Sequence, residues 1–81
     1  MLLDVIFFAL YRERAGGNKF QFELPEGGTV ADLTATVRQR IPGLAPPDVK
    51  IVVAVNAEYA DPETVLHQGD EVCLIPPVSG G

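Results

Sequence analysis

The stretch Leu3-Asp4-Val5-Ile6-Phe7-Phe8-Ala9-Leu10 decides how the rest of this 81-residue chain is read. It is short, bulky and rich in β-branched and aromatic residues, which predicts a strand. Alternation puts Leu3, Val5, Phe7 and Ala9 on one face and Asp4, Ile6, Phe8 and Leu10 on the other. Beyond Asp4 both faces are apolar. A strand of that kind belongs in the middle of a sheet, with something covering each side.

Outward from it, Tyr11 to Asn18 is polar and carries the turn signal Gly16-Gly17-Asn18. Lys19 to Leu24 then alternates cleanly, with Phe20, Phe22 and Leu24 inward and Lys19, Gln21 and Glu23 toward water. The two strands read as a hairpin joined by a loop of several residues. After Pro25-Glu26-Gly27-Gly28, Thr29 stands as a helix N-cap with Asp32 three residues on, a partial capping box. Val30, Leu33, Val37 and Ile41 repeat along one helix face, Arg38 and Arg40 suit its C-terminal end, and Pro42-Gly43 stops it.

Residues 44–48 form a loop. Ile51 to Val55 is a continuous apolar run, read as a fully buried strand. Asn56-Ala57-Glu58 is a turn and Tyr59-Ala60 a very short strand. Asp61 to Thr64 can make one helical turn, with Val65 and Leu66 tucked inward. Gln68-Gly69-Asp70 turns tightly into the last strand, Glu71 to Ile75. The order predicts a small α+β domain: a mixed sheet of four to five strands with one main helix packed on one face, and the first and last strands parallel at its centre. The ubiquitin-like β-grasp fits this order, and ferredoxin-like and other small α+β folds remain compatible with it.

Composition narrows function by exclusion. The chain is 47% hydrophobic and 21% charged, a globular composition. A single cysteine, Cys73, allows no internal disulfide, so the cytoplasm is the expected compartment. The N-terminus has no signal-peptide pattern, and the longest apolar run is too short to span a bilayer. The net charge of −5 is unevenly placed: six basic and six acidic residues lie up to Lys50, whereas five acidic residues and no Lys or Arg follow. That argues against nucleic acid and toward protein partners with basic surfaces.

No catalytic constellation is visible. His67, the one histidine, falls in a turn-rich stretch and reads as an exposed loop residue. Cys73 reads as a strand residue without the nearby cation that a reactive thiolate needs. The acidic residues Asp61, Glu63, Asp70 and Glu71 match no metal-loop spacing. Gly27-Gly28 before the helix lacks the Lys of a phosphate loop. Two features remain. If the helix covers Val5, Phe7, Val72 and Leu74, then Ile6, Phe8 and Ile75, with Cys73 beside them, form an uncovered apolar face that suits a partner. The chain also ends in Pro76-Pro77-Val78-Ser79-Gly80-Gly81. The prolines give a stiff, extended exit and the glycines place the terminal carboxylate on a backbone thin enough for a narrow channel. The chain thus divides into a domain over 1–75 and an extended C-terminal tail over 76–81, which reads either as the bearer of a reactive terminal carboxylate or as a frayed end without a role.

Gly69-Asp70-Glu71-Val72 together with Pro76-Pro77-Val78-Ser79-Gly80-Gly81 closely resembles the MoaD family of sulfur carriers, the small subunits of molybdopterin synthase. Val5-Ile6-Phe7-Phe8-Ala9, Arg12-Glu13-Arg14-Ala15-Gly16 and Val53-Ala54-Val55-Asn56 extend the resemblance over the whole chain. The resemblance implies a β-grasp fold and a substrate-arm chemistry. An E1-like enzyme using ATP would adenylate Gly81, and a sulfurtransferase relay would convert it to a thiocarboxylate. The tail, residues Pro76, Pro77, Val78, Ser79 and Gly80, would enter the large synthase subunit, where sulfur passes to cyclic pyranopterin monophosphate. Two carriers and two large subunits would form a heterotetramer, with Ile6, Phe8 and Ile75 as the docking surface. No cofactor or metal is expected on the carrier itself, and no catalytic group of its own. Related carriers for thiamine synthesis or tRNA thiolation share the fold and the Gly-Gly ending. A passive ubiquitin-like interaction module is the alternative of a different class.

Overall fold

The computed structural model describes residues 1–77. Its elements run β1 (Leu2–Phe7), α1 (Ala9–Ala15), β2 (Lys19–Glu23), α2 (Val30–Arg40), β3 (Val52–Val55), β4 (Glu58–Tyr59) and β5 (Glu71–Ile75). The five strands form one sheet in the order β2-β1-β5-β3-β4. β1 pairs antiparallel with β2 and parallel with β5, so the first and last strands lie side by side at the centre as expected. β5 pairs antiparallel with β3, which in turn pairs antiparallel with β4. This is the β-grasp arrangement.

The sheet's covered face follows from strand alternation. Leu3, Val5 and Phe7 of β1, Val72 and Leu74 of β5, Val53 of β3 and Phe22 of β2 are all at most 2% exposed. They pack in one cluster with Val30, Leu33 and Val37 of α2, and with Leu44 and Leu66 from the connecting segments. The helix that supplies this cover is fixed at its start by a complete capping box: the Asp32 amide donates to Thr29 Oγ1 at 3.3 Å and the Thr29 amide donates to Asp32 Oδ2 at 2.9 Å. Two orphan donors are thereby satisfied at the first turn. Ile41 forms the C-cap, half-buried.

Several expectations need correction. The first strand ends at Phe7, not at Leu10. Ala9 adopts φ 49°, which turns the chain out of the sheet, and the amides of Tyr11 and Arg12 then donate to the Phe8 carbonyl to open α1. The predicted loop is therefore largely a short helix, closed by Gly16 in the left-handed region at φ 78°. Its only buried residue is Tyr11, 1% exposed and part of the core. One buried position in seven leaves no helical periodicity to read, and the strong β-formers Phe7 and Phe8 carry the strand pattern past its real end. β3 is not fully buried, because it runs near the sheet edge with only Val53 and Ala54 enclosed. β4 is Glu58–Tyr59 rather than Tyr59-Ala60, since the two-residue turn at Asn56 and Ala57 pairs Val55 with Glu58. Residues 61–64 make a turn and no helix. Val65 is 45% exposed, in an isolated bridge to Thr29, while Leu66 alone points inward.

Candidate functional site

The other face of the sheet has no helix over it. Alternation brings Asp4, Ile6, Glu71, Cys73, Ile75, Val52 and Ala54 to this side, and the register lines them up. Ile6 lies beside Cys73, Cys73 beside Ala54, and Ala54 beside Tyr59, so one row crosses four strands. In the next row Ile75 pairs with Val52, and Phe8 follows β1 with its amide donating to the Leu74 carbonyl at 3.2 Å. Ile6, Cys73, Ile75 and Val52 are half-buried. Phe8 is 44% and Tyr59 79% exposed. The predicted residues Ile6, Phe8 and Ile75 are thus neighbours on one face. Sequence reasoning missed Tyr59, Val52 and Ala54, because the run Ile51 to Val55 hides which members face outward. The available signal was Tyr59 itself, a large aromatic residue on a very short edge strand.

The face is polar at one end and apolar at the other. Asp4 pairs with Glu71 in register, and Asp4 also accepts from Gln21 at 3.0 Å and lies 3.8 Å from Lys19 Nζ. One step along both strands the side chains become Ile6 and Cys73, and one further Phe8 and Ile75. β1 and β5 are parallel, so their apolar ends coincide, and β5 leads there directly into Pro76, half-buried, and Pro77, exposed. The chain therefore leaves the fold at the apolar end of the open face. The expected tail residues Val78, Ser79, Gly80 and Gly81 lie outside the described residues.

The opposite end of β5 is held by a polar clasp. Gly69 adopts φ 92°, a conformation that favours glycine. Asp70 Oδ1 accepts from Asn56 Nδ2 at 2.9 Å, and Asp70 Oδ2 accepts from the His67 amide at 2.8 Å. Asn56 Oδ1 accepts from the Glu71 amide at 2.9 Å, and the Asn56 amide donates to the Glu71 carbonyl at 2.8 Å. Gly69-Asp70-Glu71 thus ties the entry of β5 to the β3–β4 turn. The Asn56 bond first, and then the His67 amide, hold the Asp70 carboxyl below its ordinary value.

His67 is exposed, with Nδ1 3.9 Å from Asp70 Oδ2. Burial, and next the negative charge of Glu71, push the Cys73 thiol up, away from the thiolate that a nucleophile requires. Among the described residues no group of His, Cys, Asp and Glu side chains is placed to hold a metal ion. No helix among them is long and apolar enough to cross a membrane.

This is a β-grasp protein with an open apolar face at the exit of β5, and the chain belongs to the ThiS family, whose model matches residues 5–81. A molybdopterin synthase sulfur carrier subunit from Chlamydomonas reinhardtii is 42% identical over all of both chains. Among solved structures, small archaeal modifier protein 1 of Haloferax volcanii superposes with a TM-score of 0.86 at 28% identity over all of both chains. Subunits 1 and 2 of the molybdopterin-converting factor from Helicobacter pylori form a complex; a chain of it, also 28% identical and covered in full, superposes with a TM-score of 0.69. Within the family, the full-length relatives set this chain with the molybdopterin synthase sulfur carrier subunits.

Proposed function

We propose that this chain carries sulfur on its own C-terminus for the synthesis of molybdopterin. The observation that supports it most is the place where β5 delivers the chain: beside Phe8 and Ile75, at the apolar end of the face that no helix covers. A protein that takes the tail meets that face at the same time. The likeness to a subunit of a two-subunit molybdopterin-converting factor supports a large-subunit partner, with Ile6, Phe8 and Ile75 as docking residues and two copies of each subunit in the assembly.

In this reading the Gly81 carboxylate, a poor electrophile, is activated by an E1-like enzyme that transfers AMP from ATP and releases pyrophosphate. The terminal sulfur of a persulfide on a sulfurtransferase relay then attacks the acyl carbon and displaces AMP, and a thiol reductant cleaves the S–S bond of the resulting acyl disulfide, leaving a Gly81 thiocarboxylate and a disulfide on the relay side. Pro76, Pro77, Val78, Ser79 and Gly80 reach into the large subunit. The thiocarboxylate sulfur displaces an oxygen substituent of the pterin precursor, cyclic pyranopterin monophosphate. Hydrolysis of the acyl–sulfur bond returns the carboxylate and leaves the sulfur on the pterin, and a second loaded carrier supplies the second sulfur of the dithiolene. The carrier contributes a substrate arm, its partners the ATP site and the catalytic groups. The full-length likeness to molybdopterin synthase carriers favours this pathway over thiamine synthesis or tRNA thiolation.

Reconstitution with a molybdopterin synthase large subunit tests it. The thiocarboxylated chain forms a complex and restores dithiolene formation from the precursor. Deleting Gly81, or replacing Gly80 with a bulky residue, is expected to abolish transfer while the melting temperature stays within about 2 °C, because chain termini generally add little to stability. A complex that forms but yields no dithiolene contradicts the proposal.

A further inference from the structure

A cavity of about 230 Å³ lies at the base of the tail, lined by Leu10, Tyr11, Arg14, Ala45, Pro76 and Pro77 among others. Its chemistry is one-sided. The Tyr11 hydroxyl is buried and has no hydrogen-bond partner, the one buried side-chain polar atom in that condition among the described residues. Burial pushes the Tyr11 phenol up, and the guanidinium charges of Arg38 and Arg14 pull against that. Both arginines hold the neighbouring loop by its carbonyls: Arg14 donates to Leu44 at 2.8 Å, and Arg38 donates to Ala45, Pro46 and Val49. Neither has a carboxylate within salt-bridge distance among the described residues, where the ion pairs are Lys19 with Asp4 and His67 with Asp70.

Among the described residues the region therefore holds donors and positive charge with no carboxylate paired to them, in a chain of net charge −5. A buried hydroxyl without a partner is costly, and a carboxylate that accepts from it can also pair with the exposed Arg14 guanidinium at the cavity. The cavity is also continuous with the tail exit, since Pro76 and Pro77 form part of its wall. Leu10, in the cavity wall, is 42% exposed, and Phe8, two residues before it, is 44% exposed. A protein that receives the tail has to pass its surface over this opening.

We infer that the cavity receives an acidic side chain of the protein that takes the tail, bound by Arg14 and the Tyr11 hydroxyl. This rests on the carrier reading, and it adds a polar anchor to the apolar docking face. The anchor lies next to the tail, so it fixes the direction in which residues beyond Pro77 enter the partner. The Tyr11 hydroxyl is enclosed in the free chain, so the acceptor reaches it by displacing the cavity's rim.

The test measures affinity of the full chain for the molybdopterin synthase large subunit, together with melting temperature. Tyr11→Phe keeps the core ring and removes only the hydroxyl. It is expected to bind about tenfold weaker or worse while melting no lower than the unchanged chain, since the hydroxyl has no partner to lose in the free state. A second variant, Leu10→Glu, puts a carboxylate on the exposed rim and is expected to weaken binding more than Leu10→Gln. Replacing each acidic residue on the partner's surface by its amide is expected to find one position whose loss is at least that of Tyr11→Phe and to which Tyr11→Phe adds little. Tyr11→Phe binding within twofold of the unchanged chain overturns the inference, as does the absence of any such acidic position. If the unchanged chain fails to bind the large subunit at all, the carrier reading itself falls, and this inference with it.

Discussion

The two faces of the central sheet are built from alternate residues of the same strands, yet they answer to different demands. Val5, Phe7, Val72 and Leu74 are at most 1% exposed and meet α2 and its flanking segments. Ile6, Cys73 and Ile75, their immediate chain neighbours, are left half-buried on a side with no helix, and Phe8 beyond them is more exposed still. A domain of this size has little apolar surface to spare, so leaving a second apolar face open reduces what burial can contribute to stability. The covered face explains the fold. On the proposed reading, the open face is explained by a partner that docks on it, and its apolar end coincides with the chain's exit from the sheet.

The contrast is broken most directly by truncating neighbours on β5. Leu74→Ala is expected to destabilise the domain by about 2–5 kcal/mol, and Ile75→Ala by less than about 1.5 kcal/mol, read from denaturant unfolding. Equal losses would show that both faces are core. Phe8→Asp is expected to weaken large-subunit binding by about 2 kcal/mol or more while changing stability by less than about 1 kcal/mol. Loss of folding together with binding would put Phe8 in the core and dissolve the distinction.

Register holds the two faces apart, because a one-residue slip of β5 would exchange them. The Asn56–Asp70 clasp sits where that register begins. Asp70→Asn keeps the shape but removes the charge that the Asn56 amide and the His67 amide bond, and is expected to cost about 1–2 kcal/mol at neutral pH. The sign with pH follows from the depressed carboxyl. Its contribution is fully present above the ordinary value of 3.8 and is lost as pH falls through the lower folded value. The variant is therefore expected to show a flatter acid limb in a stability–pH profile, and an unchanged limb would remove Asp70 from the account. A smaller effect comes from the turn that carries Tyr59 to the sheet edge. Ala57 sits at φ 70°, where a side chain is strained. Ala57→Gly is expected to stabilise by about 0.5–1 kcal/mol in the same unfolding assay.

The sequence made the covered face legible and the open face only in part. Period-two alternation in Lys19 to Leu24 and in Glu71 to Ile75, and the Thr29–Asp32 capping pair, each state a local physical requirement that the structure keeps. Helix α1 was hidden because Tyr11 is its only buried residue, and because Phe7 and Phe8 prolong a strand pattern past the turn at Ala9. Tyr59 escaped for a different reason: its place on the open face depends on pairing with Ala54 across a two-residue turn, a tertiary fact that no period in the chain encodes. The cavity at the tail base, which joins Leu10, Tyr11 and Arg14 to Ala45 and Pro76, is farther from view still. It gathers three separate segments.

On the proposed reading, Gly81 carries the sulfur. Intact-mass measurement after co-expression with a competent E1-like enzyme, ATP and a sulfur source tests it most directly. Replacing one carboxylate oxygen by sulfur is expected to add about 16 Da, an estimate from the covalent change itself, and the increment should map to the C-terminal residue and vanish when Gly81 is deleted. An unshifted mass under conditions that load another carrier of the family would contradict the account.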